Sequence, residues 1–152
     1  MAIRNIRTYG DSCLTKECKP IKEMNHKLQV LIEDMLDTMY EANGVGLAAP
    51  QVGMLRRICI IDVRDGKGVY ELINPEIVSM EGTQCGNEGC LSLPGEWQEV
   101  ERPAKVTVKA QDRNGNEFTL TGEGLLARAI CHETDHLDGV LFIDKVKSAE
   151  LK

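Results

Sequence analysis

The chain has 152 residues, of which 18 are basic and 24 acidic, so its formal net charge is −6. That length suits one domain, and a composition of 42% hydrophobic and 28% charged residues excludes a disordered or fibrous chain. Because the chain is acidic, we do not expect it to bind the phosphate backbone of a nucleic acid. A membrane helix needs about 18 consecutive apolar residues, and no stretch of the sequence is that long, so we do not expect a membrane as partner either.

The first half of the chain predicts one helix followed by strands. Apolar residues recur at steps of three and four from Ile21 to Asn43, and Gly44 follows as a helix stop. The glycine-rich segment 44–53 predicts no regular element. Beyond it, strands are expected at 58–63, 69–73 and 76–81, with Asn74-Pro75 separating the last two.

The second half predicts a hairpin and a second helix. A clean alternation at 106–110, an Asn-Gly turn and a returning strand at 118–121 are typical of a hairpin. The second helix is expected at about 122–137. Together these elements predict a single α+β domain over residues 1–152, in which mostly antiparallel sheets pack around this C-terminal helix and an N-terminal helix is added.

The second helix carries the residues with the clearest chemistry, His132-Glu133-Thr134-Asp135-His136. On a helix, His136 lies one turn from His132 and about 40° around the axis, so both imidazoles can bind one metal ion. Glu133 lies near enough to act on a water molecule at that ion without binding the ion itself. The rest of the helix is mostly apolar, which disfavours the alternative of a solvated charged face.

A catalytic metal site needs a third protein ligand and one open position. The zinc-protease extension that would place a third histidine after His136 has Phe142 there instead. Cys90 is the best remaining candidate, and it lies in the segment 87–95, whose glycines and proline predict an irregular turn. One alternative stays open, in which Cys85 completes a structural zinc site that has no open position.

Three motifs stand in order along the chain, namely Gly44-Val45-Gly46-Leu47-Ala48-Ala49-Pro50-Gln51, Glu88-Gly89-Cys90-Leu91-Ser92 and His132-Glu133-Thr134-Asp135-His136. In this order they resemble the motifs of the peptide deformylase family. The resemblance spans Gly44 to Phe142. It implies an enzyme of a bacterial-type cytoplasm that hydrolyses the formyl group from N-formylmethionine at the start of new polypeptides and releases formate.

The resemblance also implies a ligand set and a cofactor. Cys90, His132 and His136 would hold one divalent metal ion, with water as the fourth ligand. The family implies Fe(II) as the working ion, while the ligand types alone also suit Zn, Ni or Co.

The family pattern assigns three further residues to catalysis. Glu133 would take a proton from the water and deliver it to the departing amine. The Gln51 side-chain amide and the Leu91 backbone N–H would stabilise the negative oxygen that forms on the formyl group.

The substrate would lie beside the metal, against small and apolar residues. Helix geometry places Leu125, Arg128 and Ala129 on the His132 side, one to two turns earlier, although a plain core role for Leu125 and Ala129 is an open alternative. The resemblance adds a methionine pocket and a Gly46 carbonyl that binds the peptide. The expected substrate contacts are Val45, Gly46, Gly89, Leu125, Arg128 and Ala129.

Two further expectations concern the surroundings of the second helix. In the family the residue that matches Asp135 pairs with an arginine, and Arg102 is the candidate here. Cys131 stands where the family often has Gln, which brings a second, oxidation-sensitive thiol near the site.

The expected partners are N-formylmethionyl peptides. Six cysteines without an export signal indicate reduced thiols in a cytoplasm. The ribosome is a further candidate partner, but the long C-terminal helix that some family members use for that contact is not expected after 143–146. A general metallopeptidase with the same three ligands is the competing function.

Overall fold

Along the chain, an N-terminal helix is followed by strands and then by two C-terminal helices. The structure is a computed structural model and describes residues 2–150, with side chains for residues 2–146. Its helices are α1 (His26–Glu41), α2 (Leu125–Leu137) and α3 (Phe142–Glu150), and 3-10 helices lie at Ser12–Thr15 and Ala49–Val52. Its strands are β1 (Gly46–Ala48), β2 (Ile58–Ile61), β3 (Tyr70–Glu81), β4 (Gln84–Cys90), β5 (Leu93–Arg102), β6 (Lys105–Gln111) and β7 (Glu117–Glu123).

The strands form two antiparallel sheets. Five of them pair in the order β1-β2-β3-β6-β7, while β4 and β5 form a separate hairpin. Strand β2 is buried on both faces of the larger sheet, because its side chains alternate between the faces and all four residues are buried. Cys59 and Ile61 pack in the apolar cluster that contains α2, whereas Ile58 and Ile60 pack in the cluster that contains α1. The two helices cover opposite faces of the sheet, and the predicted α+β fold is confirmed.

Helix α1 is shorter than its apolar pattern predicts. The Asn25 side chain accepts a hydrogen bond from the Leu28 backbone N–H at 3.0 Å and caps a helix that begins at His26, not at Ile21. Ile21 instead exchanges hydrogen bonds with the Asn74 side chain of β3, at 2.8 Å in each direction. Such long-range contacts keep the preceding segment out of the helix, and sequence periodicity cannot reveal them.

Strand β3 runs through Asn74-Pro75, where the sequence predicts a break. Asn74 adopts a left-handed φ of 52°, and the register with β6 shifts between Ile73 and Glu76. The predicted break is therefore a β-bulge, which accommodates a proline that cannot donate a hydrogen bond to the ladder.

Two glycine-containing segments are more regular than predicted. Strand β1 and a 3-10 helix occupy most of 44–53, and the β4–β5 hairpin covers most of 87–95. Strand β1 is buried along its whole length, and the buried side chains of the hairpin include Glu88 and Arg102. Neither segment therefore shows the apolar alternation that marks a strand. The prediction of no regular element is therefore wrong at 44–53. At 87–95 the predicted irregular turn is present, since residues 91–92 form a turn and the register shifts between Gly89 and Cys90, although strands flank it on both sides.

Helix α2 begins later than predicted and ends where the sequence indicates. Strand β7 continues to Glu123, so the helix begins at Leu125 rather than at Gly122. After the helix, Gly139 has a φ of 76°, and a Cβ there would lie 2.7 Å from the Thr15 backbone. A glycine is therefore required at this helix stop.

The third helix, α3, is not predicted by the sequence pattern. Its first residue, Phe142, packs with Leu93 and Val100 of β5 in a small apolar cluster. This cluster covers the β4–β5 hairpin from the C-terminal side.

All six cysteines are free thiols. Cys131 is buried in the core, and burial raises its pKa to about 11. The expected oxidation-sensitive thiolate is therefore disfavoured at this position. Within residues 2–150, no helix combines the length and the apolar character that a membrane span requires.

Candidate metal centre

Three side chains with metal-binding atoms meet where the β4–β5 hairpin approaches α2. Cys90 ends β4, and His132 and His136 lie one turn apart on α2. Their ligand atoms all lie within 4.8 Å of one another. The Nε2 atom of His136 is 3.3 Å from Cys90 Sγ and 3.2 Å from His132 Nε2. The fold thus brings together the three residues that the sequence predicts as ligands.

The donor set fits a single transition-metal ion. A tetrahedral ion at about 2.0 Å from two imidazole nitrogens holds them about 3.3 Å apart, which agrees with the 3.2 Å between the two Nε2 atoms. Burial lowers the pKa of His136 well below its usual value, which keeps its ring neutral and able to bind metal. Cys85 is exposed and lies outside this group, so the four-ligand structural site is not supported.

Glu88 of β4 fixes the orientation of the His132 ring. Its Oε2 is 2.6 Å from His132 Nδ1 and accepts a hydrogen bond from Arg102 Nη2 at 2.6 Å. Its Oε1 accepts from Arg102 Nε at 3.0 Å and from Arg128 Nη1 at 2.9 Å. Burial alone would raise the pKa of Glu88, but the hydrogen bonds from His132 and Arg102 lower it to about 2. The ionised carboxylate favours a proton on Nδ1 and leaves Nε2 free for a metal.

Arg102 joins this carboxylate to the metal-binding helix. Its Nη1 donates to Asp135 Oδ2 at 2.6 Å, so the ion pair predicted between these two residues is present. Arg102 and Glu88 are both buried. Because a buried charge is costly unless it is paired, the network restrains the positions of its members. One guanidinium therefore ties β5 to both β4 and α2.

Glu133 lies next to the ligands and has a carboxylate with few partners. The residue is only 4% exposed, and among the described residues no hydrogen-bond donor reaches its Oε1. Burial raises its pKa to about 7. Gly46 of β1 packs so closely against it that a Cβ at that position would collide with Oε2. A buried carboxylate of this kind is typical of a general base.

Gln51, in the 3-10 helix after β1, has its side-chain amide held at both ends. Its Oε1 accepts from the Ala48 backbone N–H at 2.9 Å, and its Nε2 donates to Ser92 Oγ at 3.1 Å. The same Nε2 lies 3.5 Å from Cys90 Sγ. The Arg7 backbone N–H donates to the Gln51 carbonyl at 2.6 Å and so restrains its backbone. An amide N–H group held beside the thiolate can donate to an oxygen atom that approaches the site.

A cavity of about 570 Å³ opens onto His132 and Glu133. This volume lies in the range of small-molecule sites. Gln51, Cys90 and Leu91 form part of its wall. The residues expected to contact substrate also line it, namely Val45, Gly46, Gly89, Leu125, Arg128 and Ala129.

Comparison with known proteins identifies the family. A family model described as polypeptide deformylase matches residues 3–152. The chain belongs to this family. The peptide deformylase of Caldicellulosiruptor bescii is 62% identical over 146 residues, which cover 96% of this chain and 87% of that protein. Peptide deformylase 1 of Clostridium perfringens is 57% identical over 144 residues, which cover 95% of this chain and 98% of that protein.

Solved structures of peptide deformylases share this fold. The Legionella pneumophila enzyme matches with a TM-score of 0.92 and 52% identity, over 95% of this chain and 86% of that one. The Synechococcus elongatus enzyme, solved in complex with actinonin, matches with a TM-score of 0.90 and 43% identity, over 93% of this chain and 78% of that one. Peptide deformylases are metal-dependent enzymes that remove the formyl group from the N-formylmethionine of nascent peptides.

Sequence reasoning misses part of this deformylase site. It assigns no role to Glu88, although strand alternation would place that residue on the Cys90 side once β4 is recognised. It also assigns no role to Ser92, the last residue of the second motif, which is buried and accepts the hydrogen bond from Gln51. Arg128 lines the cavity as expected, but its guanidinium also donates to Glu88 and to a backbone carbonyl, and so belongs to the buried network.

Proposed function

We propose that this peptide deformylase hydrolyses the formyl group of N-formylmethionine on new polypeptides through a single metal ion and a buried general base. The observation that carries the proposal is the meeting of Cys90 Sγ and two imidazole nitrogens within 4.8 Å, beside the buried carboxylate of Glu133. Metal-dependent amide hydrolysis uses a metal site, a base and a hydrogen-bond donor for the oxyanion, and the cavity contains a candidate for each.

The metal ligands in this proposal are Cys90, His132 and His136. A divalent ion held there would polarise a carbonyl oxygen and lower the pKa of water. We propose Fe(II) as the working ion, with Zn, Ni and Co as ions that the same ligands can also bind. Metal analysis of protein purified without oxygen, compared with the turnover of each metal-loaded form, tests this choice. A zinc form that is faster than the iron form would overturn it.

Glu133 is the proposed proton carrier. Its Oε1 has no competing donor among the described residues, so it is available to accept the proton of the attacking water. The same carboxylate then delivers the proton to the departing amine. The close packing of Gly46 against Glu133 supports this role, because it holds the carboxylate at the wall of the cavity.

Two donors are proposed for the negative oxygen that forms on the formyl group. The Gln51 Nε2 amide lies beside Cys90, and the Leu91 backbone N–H follows that ligand directly in the chain. Removing one such donor typically costs about 3 kcal/mol of transition-state stabilisation.

The methionine side chain would lie against Val45, Leu125 and Ala129. Val45 and Leu125 are exposed large apolar residues, as expected for a surface that a ligand covers. The Gly46 carbonyl would accept a hydrogen bond from the peptide backbone, and Gly89 lines the same cavity.

The buried network is proposed to position the ligands. Arg102 contacts both Glu88 and Asp135, and Glu88 contacts His132. These contacts support a role in holding the helix and the His132 ring in place while substrates enter and leave.

We also propose that the enzyme acts in a bacterial-type cytoplasm, where formylated chains are made. Direct contact with the ribosome remains a prediction, and sedimentation of the protein with purified ribosomes tests it.

Formate release from formyl-Met-Ala-Ser is the direct test of the function. We expect turnover by the metal-loaded wild type and a loss of at least about 100-fold in Glu133→Ala with its metal retained. The actinonin complex of the Synechococcus elongatus relative supports actinonin as an inhibitor here.

An unformylated peptide separates the competing functions. Unformylated Met-Ala-Ser should stay intact, and cleavage of its peptide bonds at a comparable rate would favour a general metallopeptidase. A metal-loaded wild type that releases no formate would contradict the proposal.

A further inference from the structure

The N-terminal segment, residues 2–9, passes beside the candidate metal centre. It forms neither helix nor strand, and its Ile6 lines the cavity. The segment is nevertheless fixed at its start by Asp34 of α1, which is buried. The Ala2 backbone N–H donates to Asp34 Oδ1 at 2.8 Å, and Arg4 Nε donates to Oδ2 of the same carboxylate at 2.9 Å. The segment is therefore attached to the core of the fold.

Two backbone N–H groups of the N-terminal segment donate to residues of the site. The Arg7 N–H donates to the Gln51 carbonyl at 2.6 Å, and the Tyr9 N–H donates to the Ser92 carbonyl at 2.8 Å. Gln51 and Ser92 are both buried and lie 41 residues apart in the chain. Their side chains also join them, since Gln51 Nε2 donates to Ser92 Oγ at 3.1 Å. Three hydrogen bonds and the short stretch 7–9 thus form a closed ring.

This ring depends on the backbone of the N-terminal segment and not on its side chains. The Arg7 guanidinium pairs with Asp11, and the Tyr9 side chain is 56% exposed. Neither side chain takes part in the three hydrogen bonds of the ring. The contribution of the ring is therefore measured by removing an N–H group, and an alanine substitution at position 7 or 9 leaves the ring intact.

The ring joins the two segments that carry the proposed oxyanion donors. Gln51 carries one donor on its side chain, and Leu91, whose N–H is the other, directly precedes Ser92 in a turn. Such donors lower the barrier only when they point at the position that the oxyanion takes. A displacement of about 1 Å in an active site can reduce the rate about 100-fold. Contacts that set the separation of the two donors therefore affect catalysis.

We propose that the backbone N–H groups of Arg7 and Tyr9 position the two oxyanion donors and so set the turnover number. Arg7 acts through Gln51, and Tyr9 acts through the turn at 91–92. Both are positioning residues, since neither is placed against the reacting formyl group. The oxyanion forms only as the transition state is approached, so a loss of either N–H should lower kcat and leave KM unchanged. This inference rests on the proposed function, because it concerns the donors assigned there.

Replacement of one backbone N–H by an ester oxygen tests the proposal. Because position 13 is a free cysteine, the full chain can be assembled by ligating a synthetic peptide 1–12 to a recombinant chain 13–152. Arg7→lactic acid is compared with Arg7→Ala, so the two metal-loaded chains differ only in the N–H group. Tyr9→lactic acid and Tyr9→Ala form the second pair. Thr8→lactic acid and Thr8→Ala are the matched control, since the Thr8 N–H donates to no backbone carbonyl in the described part of the chain.

The expected result is a loss in kcat for two of the three pairs. On formyl-Met-Ala-Ser, the ester at position 7 or 9 should lower kcat by about fivefold to tenfold relative to its alanine partner. KM should stay within about twofold in each pair. The pair at position 8 should have equal kcat within about twofold. Urea unfolding of every chain confirms that it is folded under the conditions of the assay.

A double-mutant cycle separates positioning from a general contribution to the fold. In a Gln51→Ala background the pair at position 7 should differ in kcat by less than about twofold, because the Arg7 N–H then has no side-chain donor to position. A segment that only stabilises the fold would have the same effect in both backgrounds.

The recombinant variant Ser92→Ala breaks the ring without any ligation. Its kcat should fall by about fivefold with KM unchanged, because the Gln51 amide loses the acceptor that holds it. A wild-type kcat in Ser92→Ala, equal kcat in the pair at position 7, or a loss that persists undiminished in Gln51→Ala would overturn this inference alone. An absence of formate release by the metal-loaded wild type would instead overturn the proposed function.

Discussion

The five-stranded sheet and the β4–β5 hairpin are both antiparallel, yet they differ in what they bury. Strand β2 of the sheet is covered on both faces by apolar side chains, as Ile60 and Ile61 illustrate. The hairpin buries the ion pair of Glu88 and Arg102 in addition to an apolar cluster. Apolar burial stabilises a fold without regard to direction. A buried ion pair adds little net stability, but it is directional. The comparison indicates that the sheet mainly stabilises the fold, whereas the hairpin mainly positions the metal ligands.

The largest effect is expected at the centre of the ionic network. Glu88→Gln would leave the buried Arg128 without a carboxylate and Arg102 with Asp135 alone, so the free energy of unfolding should fall by about 3–5 kcal/mol. The affinity for the metal should fall by about 10-fold to 100-fold, because the His132 ring loses its orienting partner. Urea unfolding and a metal-chelator competition measure the two quantities. A metal affinity equal to that of the wild type in this variant would contradict the claim that the hairpin positions the metal ligands.

A cavity-creating substitution in the sheet should lower the stability of the fold and leave the metal affinity nearly unchanged. Ile60→Ala removes a fully buried side chain between the sheet and α1, and should cost about 2–5 kcal/mol in the free energy of unfolding. Its metal affinity should stay within about twofold of the wild type, since Ile60 belongs to the apolar cluster on the α1 side of the sheet. The same urea and chelator experiments apply. A loss of metal affinity in Ile60→Ala as large as that in Glu88→Gln would show that the stability of the fold and the positioning of the metal ligands are not separate properties.

Asp34 of α1 is a buried carboxylate that lies away from the metal centre, so it tests whether ion pairing outside the hairpin affects only stability. Burial raises the pKa of Asp34, but hydrogen bonds from the Ala2 backbone N–H and from Arg4 outweigh it, and the pKa is lowered overall. The folded pKa lies below the unfolded one, so this stabilisation is present above about pH 4 and is lost as the pH falls further. Asp34→Asn should cost about 1–2 kcal/mol at pH 7 and flatten the loss of stability below pH 4. Unfolding curves at several pH values would reveal an unchanged acid slope if this assignment is wrong.

The smallest effect is expected at the edge of the ionic network. Asp135 is partly exposed, and Glu88 would still pair with Arg102 after its loss. Asp135→Asn should therefore cost only about 1 kcal/mol in the free energy of unfolding. Its metal affinity should fall by less than about 10-fold, as measured by chelator competition. An effect as large as that of Glu88→Gln would place the centre of the network at Arg102 instead.

The same comparison explains which parts of the fold the sequence predicts. The strands of the larger sheet at 106–110 and 118–121 show alternation, and α2 has helical periodicity, so their patterns identify them. The hairpin has no such pattern, because Glu88 and Arg102 occupy buried positions and its buried apolar residues, Leu93 and Val100, stand far apart in the sequence. Burial by ion pairing leaves no periodic apolar signal in a sequence.

The residues of the site also differ in whether a local sequence pattern predicts them. The spacing of His132 and His136 on one helix is a local pattern, so it predicts a shared metal ion directly. Cys90 needs a long-range argument, and its place beside them depends on a hairpin that the pattern does not reveal. The contacts of Gln51 with Ser92 and of Glu88 with His132 join segments about 40 residues apart. Only the folded chain reveals them.

The coordination of a bound metal tests the central claim most directly. X-ray absorption of the protein loaded with one equivalent of cobalt or zinc reports the number of sulfur and nitrogen ligands. The account predicts one sulfur and two imidazole nitrogens from the protein, with the sulfur signal lost in Cys90→Ala and kept in Cys85→Ala. Two sulfur ligands, or a sulfur signal that survives in Cys90→Ala, would contradict it.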